Sequence, residues 1–306
     1  MISSSESGST MVLKRILVAT DFSPAARLAV SRAGQLAKQN DANLYLVHAR
    51  PDWNLFTPAP GANGGEQYRV VTHESERALG EELAYLQSTF GIQARGETRV
   101  GRASQVLLSV AAQMDPHLIV IGARGEHDEP SGVPFLGGTT LKLAVYADRP
   151  VLIVRTASDL PYKTSAAAVE YPSVAAGDLL RWAWTLVPEG DCHIVHAFDA
   201  PFAQRMRRHG VPEEVVTQRS EAMRSDAKAF IERMLDIPIR EGQRCHTHFV
   251  CGEAVGAVLD EIGRCKPDVV VIGRHGHPPR EHQLRSLGSV ALRIAYHTAG
   301  DVLIVP

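Results

Sequence analysis

The sequence lacks the features that mark membrane, secreted or nucleic-acid-binding proteins. No run approaches the roughly 20 consecutive apolar residues that span a bilayer. The first ten residues are polar and serine-rich, without the apolar core of a signal peptide. Lys and Arg (32 residues) do not outnumber Asp and Glu (34 residues), so no surplus of positive charge indicates binding to nucleic acid or to anionic membranes. We expect a cytoplasmic protein that binds neither.

Cysteine and aromatic residues are also scarce. Aromatic residues make up only 6% of the chain, although 44% of its residues are hydrophobic. The cysteines contain no CxxC pair, which excludes a disulfide framework and a zinc ribbon. All four lie in the second half, at Cys192, Cys245, Cys251 and Cys265. A globular chain of 306 residues with such a composition favours two domains and reduced thiols.

An internal repeat organises the sequence. The segment PHLIVIGARG at 116–125 matches PDVVVIGRHG at 267–276, 151 positions later. The match extends upstream, where LYLVHA at 44–49 corresponds to CHIVHA at 192–197, and downstream, where VLIV recurs. Each repeat is about 150 residues long, which is the size of a domain. The chain is therefore a tandem duplication.

Each repeat predicts an alternating α/β fold. The apolar run RILVAT at 15–20 is typical of a strand buried on both faces of a parallel sheet, and Ser23 followed by Pro24 indicates a helix start. Further strands are predicted near 44–48, 94–100, 118–121 and 151–154, with helices between them. We expect two domains, each with a five-stranded parallel sheet flanked by helices. The expected boundaries are a disordered tail at 1–12, domains at 13–155 and 166–306, and a linker at 156–165.

A glycine-bearing loop follows the fourth strand in each repeat. The first loop contains Gly122, Gly125 and, twelve residues later, Gly138 with Thr139. The second contains a glycine pair with the same spacing and, eleven residues later, Gly288. Without a Cβ, glycine lets backbone N–H groups approach an anion, and the next helix adds unpaired donors. The paired loops therefore indicate phosphate binding.

With these loops, the chain resembles the universal stress protein family, and specifically its tandem members. The resemblance covers nearly all residues after Val12 and is carried by ILVATDFSP at 16–24, VHA at 47–49 and the two glycine loops. It implies two Rossmann-like domains of the adenine nucleotide alpha hydrolase type. It also implies binding of ATP or another adenine nucleotide, with Mg²⁺ as a companion of the triphosphate.

The resemblance also implies two sets of binding residues. The first set is Asp21, Ala49, Gly122, Arg124, Gly125, Gly138 and Thr139. The second set is Ala197, Gly273, His275, Gly276, Gly288 and Ser289. No catalytic residue and no metal ligand is assigned.

Both sites depart from the pattern of ATP-binding family members, in which nine residues separate the second glycine from Gly-Ser or Gly-Thr. The first repeat places Glu126, Asp128 and Glu129 after its loop, where they would repel a triphosphate. In the second repeat the position of Asp21 falls on Tyr171, one residue after a glutamate, although basic residues follow the loop. We favour the second repeat as the nucleotide site, because its basic residues can form charge-assisted hydrogen bonds with phosphates.

Three alternatives concern catalysis and the loss of binding. The triplet Arg274-His275-Gly276 occurs in histidine phosphatases, but there it follows the first strand of a large domain, which argues against a nucleophilic histidine here. An ATPase needs a base and a metal carboxylate beside the cradle, so at most slow hydrolysis is expected. A structural tandem scaffold without nucleotide stays open. The favoured hypothesis is a regulatory or sensing module for a stress response.

Metal binding is the fourth alternative. Nine of the thirteen histidines lie in the second half, and His246 and His248 would share one face of a strand near Cys245 and Cys251. Scattered strand and surface histidines are the preferred interpretation. His48 and His196 match between the repeats and are interpreted as satisfied, partly buried residues.

The last strands of the repeats predict how the halves assemble. An open sheet edge at 151–154 or 302–305 would invite aggregation. Antiparallel pairing of these strands would cover both edges and form an intramolecular pseudo-dimer. A protein partner of unknown identity is expected to respond to the nucleotide, and a homodimer of pseudo-dimers is left open.

Overall fold

The computed structural model describes residues 11–51, 64–125, 135–157, 160–170, 175–234, 243–275 and 286–306. It divides into two compact units. The N-terminal unit comprises Leu13–Pro161, and the C-terminal unit comprises Tyr162–Pro306 together with Met11 and Val12.

The N-terminal unit is a parallel sheet with helices between the strands. Its strands are β1 (Arg15–Thr20), β2 (Asn43–Arg50), β3 (Arg95–Val100), β4 (Leu118–Gly122) and β5 (Val151–Val154). Its helices are α1 (Pro24–Asn40), α2 (Gly64–Phe90), α3 (Ala103–Met114) and α4 (Gly138–Tyr146). The strand order is β3-β2-β1-β4-β5, and every pair is parallel.

The C-terminal unit repeats this arrangement. Its strands are β6 (Thr164–Ala168), β7 (Gly190–Asp199), β8 (Gln243–Gly252), β9 (Val269–Gly273) and β10 (Asp301–Val305). Its helices are α5 (Ala176–Leu186), α6 (Ala200–Arg208), α7 (Glu213–Met234), α8 (Ala254–Cys265) and α9 (Ser289–His297). The order β8-β7-β6-β9-β10 is again fully parallel, which confirms the predicted fold class.

The central strands form the core because they are apolar on both faces. All residues of β4, and all residues of β1 except Arg15, are buried, as expected for a parallel sheet covered by helices on each side. The predicted start of α1 is confirmed: the Ser23 hydroxyl oxygen accepts a hydrogen bond from the Ala26 N–H at 3.2 Å, and Pro24 occupies the first turn.

Some predicted boundaries differ in the structure. The strand β6 begins at Thr164, two residues inside the expected linker, because its sequence TSAAA has little β-propensity to mark it. Met11, expected in the disordered tail, donates its backbone N–H to the Thr185 hydroxyl at 2.8 Å. The helix predicted between the second and third strands begins at Gly64, well before the apolar positions Leu79, Leu83 and Leu86 that indicate it. No helix in the described part combines the length and apolar character needed to cross a bilayer.

Candidate functional site

The chain order places a crevice at the same position in each unit. After β1 the chain builds β2 and β3 on one side and then returns to form β4 on the other side, so β1 and β4 flank the topological switch point. The strands β6 and β9 are their counterparts. In open parallel sheets, ligands bind at the carboxyl ends of the strands at such a point.

The C-terminal unit has a cavity of about 490 Å³ at its switch point. This volume lies within the range of small-molecule sites, roughly 300–1,000 Å³. Five of the six residues predicted for this unit line the cavity: Ala197, Gly273, His275, Gly288 and Ser289. The sixth, Gly276, lies outside the described residues, as do the basic residues that follow it. Apolar walls come from α5, α8 and α9, including Leu179, Val258 and Ile294.

A carboxylate also lines this cavity, and its position corrects the predicted correspondence between the two repeats. Ile16 pairs with Leu118 in the N-terminal unit, and Ser165 pairs with Val269 at the equivalent register in the C-terminal unit. Ile16 and Ser165 are therefore equivalent, and the fifth residue after each is Asp21 and Glu170, respectively. Asp21 thus corresponds to Glu170, not to Tyr171. Glu170 is exposed and lines the cavity. The position equivalent to Asp21 is therefore also a carboxylate in the C-terminal unit.

The start of α9 forms another wall of the cavity. Gly288 is its N-cap residue and has no side chain that could bond the first N–H groups, while Ser289 and Val290 follow in the first turn. Such a turn carries unpaired donors and a partial positive charge. A Cβ on Gly288 would lie 3.1 Å from the Arg274 carbonyl oxygen, so glycine permits this close approach.

His275 adds a polar group to the same cavity. Its Nε2 atom is buried and has no hydrogen-bond partner within the part of the chain that the structure describes. Burial, and secondarily the charge of Arg274, lowers the pKa of His275. A neutral imidazole can donate one hydrogen bond to a ligand. It follows the fourth strand of its unit, which supports the argument against a phosphatase nucleophile.

The N-terminal unit differs from the C-terminal unit at the start of α4. The predicted match of Gly138 and Thr139 to Gly288 and Ser289 was wrong by one residue. Gly137 donates its N–H to the Ala123 carbonyl oxygen, just as Gly288 donates to Arg274, both at 2.9 Å. Gly137 is also the N-cap residue of α4. The equivalent of Gly288 is therefore Gly137, and the equivalent of Ser289 is Gly138. Both loops have eleven residues between their second and third glycines, and only the C-terminal unit has a hydroxyl there.

The remaining residues predicted for the N-terminal unit lie near the carboxyl ends of its strands. The Asp21 carboxylate accepts a hydrogen bond from the Ser23 N–H at 3.1 Å. A Cβ on Gly122 would lie 2.8 Å from the Ala25 carbonyl oxygen, so this glycine is required by the packing of β4 against α1. The others are Ala49 in β2, Arg124 and Gly125 after β4, and Thr139 in α4. The acidic residues at 126–129 lie outside the described residues.

A buried carboxyl group near Asp21 was missed by the sequence analysis. Glu82 on α2 is 8% exposed, and its Oε1 accepts a hydrogen bond from the Thr20 hydroxyl at 3.0 Å. Burial raises the pKa of Glu82 to about 7. A glutamate on an otherwise amphipathic helix gives no sequence signal that it faces inward.

The two matched histidines have a structural role, as predicted. The His48 Nδ1 atom lies 3.0 Å from the Thr20 carbonyl oxygen, and the His196 Nδ1 atom lies 2.9 Å from the Val169 carbonyl oxygen. Burial lowers the pKa of His196. These contacts fix the ends of β1 and β6, immediately before Asp21 and Glu170.

The sequence matches the model of the universal stress protein family twice, over residues 13–155 and 161–306. Universal stress protein A homolog 2 of Coxiella burnetii is 29% identical over 145 residues, which cover 46% of this chain and 94% of the relative. Universal stress protein A of Escherichia coli is 30% identical over 115 residues, or 37% of this chain and 76% of the relative.

A solved structure extends the similarity to both units. The universal stress protein from Archaeoglobus fulgidus is 17% identical, with a TM-score of 0.64, and the match covers 95% of each chain. At this identity the match shows a shared fold. Together with the family model, which spans both repeats, it shows that this chain is a tandem member of the universal stress protein family.

Proposed function

We propose that the C-terminal unit binds an adenine nucleotide and that its occupancy serves a regulatory or sensing role in a stress response. The observation that carries this proposal is the cavity at the switch point of β6 and β9, which brings Glu170 and the start of α9 together. A carboxylate suits the hydroxyl groups of a ribose, and unpaired helix donors suit a phosphate.

The polar groups of the cavity fit the two ends of a nucleotide. Ser289 offers a hydroxyl group and His275 an imidazole beside the uncapped helix start. Leu179, Val258 and Ile294 supply apolar surface for a base. Most small-molecule sites combine such an apolar lining with a few placed polar groups.

The fit for Mg²⁺ is weaker than the fit for the nucleotide. Among the described residues that line the cavity, Glu170 is the only carboxylate. We assign it to the nucleoside end, so the ion would be held mainly by phosphate oxygens and water. This donor set supports binding more than hydrolysis, because phosphoryl transfer needs a metal carboxylate and a group that orients water.

The proposal is tested by thermal shift measurements with ATP, ADP, AMP and cyclic AMP. A ligand that binds only the folded chain raises Tm by mass action, and mass spectrometry of the denatured protein would detect retained nucleotide. We expect at least one adenine nucleotide to raise Tm. A flat response to all four, with no retained nucleotide, would instead support the structural scaffold.

A matched pair of variants locates the site. Ser289→Asp places a negative charge in the first turn of α9, where it favours the helix but repels a phosphate. Gly138→Asp makes the same change at the equivalent position of α4, where a Cβ meets no atom within 4 Å. We expect only Ser289→Asp to abolish the thermal shift.

The assembly of the two units stays a prediction. We propose that the last strands of the repeats pair within one chain, because each would otherwise expose an open edge. Cross-linking between cysteines introduced on these strands would test the pairing in the monomeric fraction. Cross-links that form only between chains would contradict it.

A further inference from the structure

Two histidines on the C-terminal sheet share one face because of the register of β7 and β8. His193 pairs with His246, and Val195 pairs with His248. Since side chains alternate between faces, His193 and His248 lie on the same face, displaced diagonally by two residues. Cys192 and Cys245 pair one position earlier and so belong to the opposite face.

The helix α8 brings a thiol and a carboxylate to this face. Glu261 and Cys265 are four residues apart, so they lie on one side of the helix. The Cys265 Sγ atom lies 3.9 Å from the His248 Nε2 atom, and Glu261 Oε1 lies 2.9 Å from His248 Nδ1. Three elements thus converge on one point.

We propose that His193, His248 and Cys265 bind a zinc ion, with Glu261 as a positioning residue. One potential ligand atom of each of the three residues lies within 4.8 Å of the others. Two nitrogens and one sulfur form a ligand set that suits Zn²⁺, and a water molecule or an external ligand would complete a tetrahedron.

The distances are close to those of a zinc site. The His193 Nδ1 atom and the His248 Nε2 atom are 2.8 Å apart. With Zn–N bonds of about 2.0–2.1 Å, two nitrogens of one tetrahedron are about 3.3 Å apart, so small side-chain rotations would admit the ion. All three ligand residues are partly exposed, which gives an ion access from solvent.

Glu261 fixes the orientation and tautomer of His248. A carboxylate accepts a hydrogen bond, so His248 Nδ1 is the donor to Glu261, and the His248 Nε2 atom faces His193 and Cys265. Glu261 is itself held by Arg264, whose NH1 atom lies 2.9 Å from Oε2. Carboxylate–histidine pairs of this kind support metal ligands in proteins.

Metal ligands bind in their deprotonated forms. Burial, and secondarily the charges of His248 and His246, lowers the pKa of His193. Burial and the Glu261 carboxylate raise the pKa of Cys265 to about 11, so the free thiol is protonated. Zinc binding would release this proton and form the thiolate.

The metal ligands proposed from the structure differ from the candidates that the sequence suggested. Of the four residues singled out in the sequence, only His248 belongs to the cluster. His246 lies 2.7 Å from the Asp191 carboxylate and stacks on His193, whereas Cys251 is an exposed thiol. His193 and Cys265 come from elements that no sequence motif connects.

The test is a titration of the metal-free full-length protein with Zn²⁺ and Co²⁺. We expect one zinc ion per chain, a rise in Tm with zinc, and a thiolate-to-cobalt charge-transfer band in the near ultraviolet. Cys265→Ser should remove the charge-transfer band and weaken zinc binding at least tenfold. Cys251→Ser is the matched control and should retain both signals.

Two further variants separate ligands from neighbours. His248→Gln should abolish cobalt binding, and Glu261→Gln should weaken zinc binding about 10–100-fold while leaving the charge-transfer band in the saturated protein. Circular dichroism would verify that each variant is folded. Zinc binding that is absent in the wild type, or unchanged in folded Cys265→Ser, would overturn the proposal and leave a hydrogen-bonded network.

Discussion

The His196 Nδ1 atom lies 2.9 Å from the carbonyl oxygen of Val169, the residue immediately before Glu170. Because a carbonyl oxygen only accepts, the imidazole is the donor. The hydrogen bond joins β7 to the residue that follows β6 and thereby fixes where the chain turns into the cavity. The N-terminal unit contains the same contact between His48 and Thr20.

Replacing these histidines should separate stability from binding. We expect His196→Leu to lower the free energy of unfolding by about 1–3 kcal/mol, since the buried carbonyl oxygen of Val169 loses this donor. It should also weaken ATP binding, because Glu170 loses its support. His48→Leu should destabilise the N-terminal unit while leaving ATP affinity unchanged. Chemical denaturation and calorimetric titration would measure both effects, and an equal loss of affinity in the two variants would contradict this assignment.

Glu170 provides a test of the nucleoside end. We expect Glu170→Gln to weaken binding of both AMP and ATP several-fold, because an amide accepts hydrogen bonds from hydroxyl groups less strongly than a carboxylate does. Glu189→Gln, at an exposed position outside the cavity lining, is the control. Calorimetric titrations of the two variants should differ. An AMP affinity unchanged by Glu170→Gln would exclude a ribose contact.

Glu82 predicts a pH dependence of stability. Burial raises the pKa of this carboxyl group from about 4.5 to about 7. Between these values the folded chain holds a proton that the unfolded chain has lost, so the contribution of Glu82 to stability falls as pH rises through this window. Above this pH window Glu82 is ionised in both states, and the folded state bears the full cost of burying its charge.

Glu82→Gln should therefore stabilise the protein more at pH 8 than at pH 4.5. We expect a gain on the order of 2 kcal/mol at pH 8 and little change at pH 4.5, measured by urea denaturation. Glu81→Gln, which removes an exposed ion pair with Arg77, should change stability by less than about 1 kcal/mol at either pH. A gain from Glu82→Gln that is equal at both pH values would show that burial does not suppress ionisation.

Tyr162 marks the beginning of the C-terminal unit. Its buried hydroxyl group donates to the carboxylate of Asp301, which is fully buried at the start of β10, at 2.5 Å. Tyr162→Phe keeps the ring but removes this donor, and we expect a loss of about 1.5–3 kcal/mol. Leu160→Ala, at an exposed position two residues away, should have little effect. Equal stability of the two variants in urea would contradict the role of the hydroxyl group.

The sequence predicted the strongly apolar elements well and the small-residue elements poorly. The runs LIVIG in β4 and VVVIG in β9 are buried, and their repetition showed the duplication. The run TSAAA in β6 has no such signal, so the position equivalent to Asp21 was assigned to Tyr171 instead of the glutamate directly before it. In the first repeat, consecutive glycines at 137 and 138 allowed two alignments, and only the hydrogen bond of Gly137 to Ala123 decides between them.

The zinc cluster could not be found from spacing alone. His193 and His248 are 55 positions apart, and Cys265 lies on a helix after them. Their approach depends on the register of β7 and β8 and on the face of α8 that packs on the sheet. Neither feature leaves a short motif in the sequence.

Hydrogen–deuterium exchange with and without saturating ATP would show which unit holds the nucleotide. We expect slower exchange at 168–170 and 286–294, the segments that line the cavity at the end of β6 and at the start of α9, with no change at the equivalent positions 19–21 and 135–143. Protection confined to the N-terminal unit, or identical exchange with and without ATP, would contradict it.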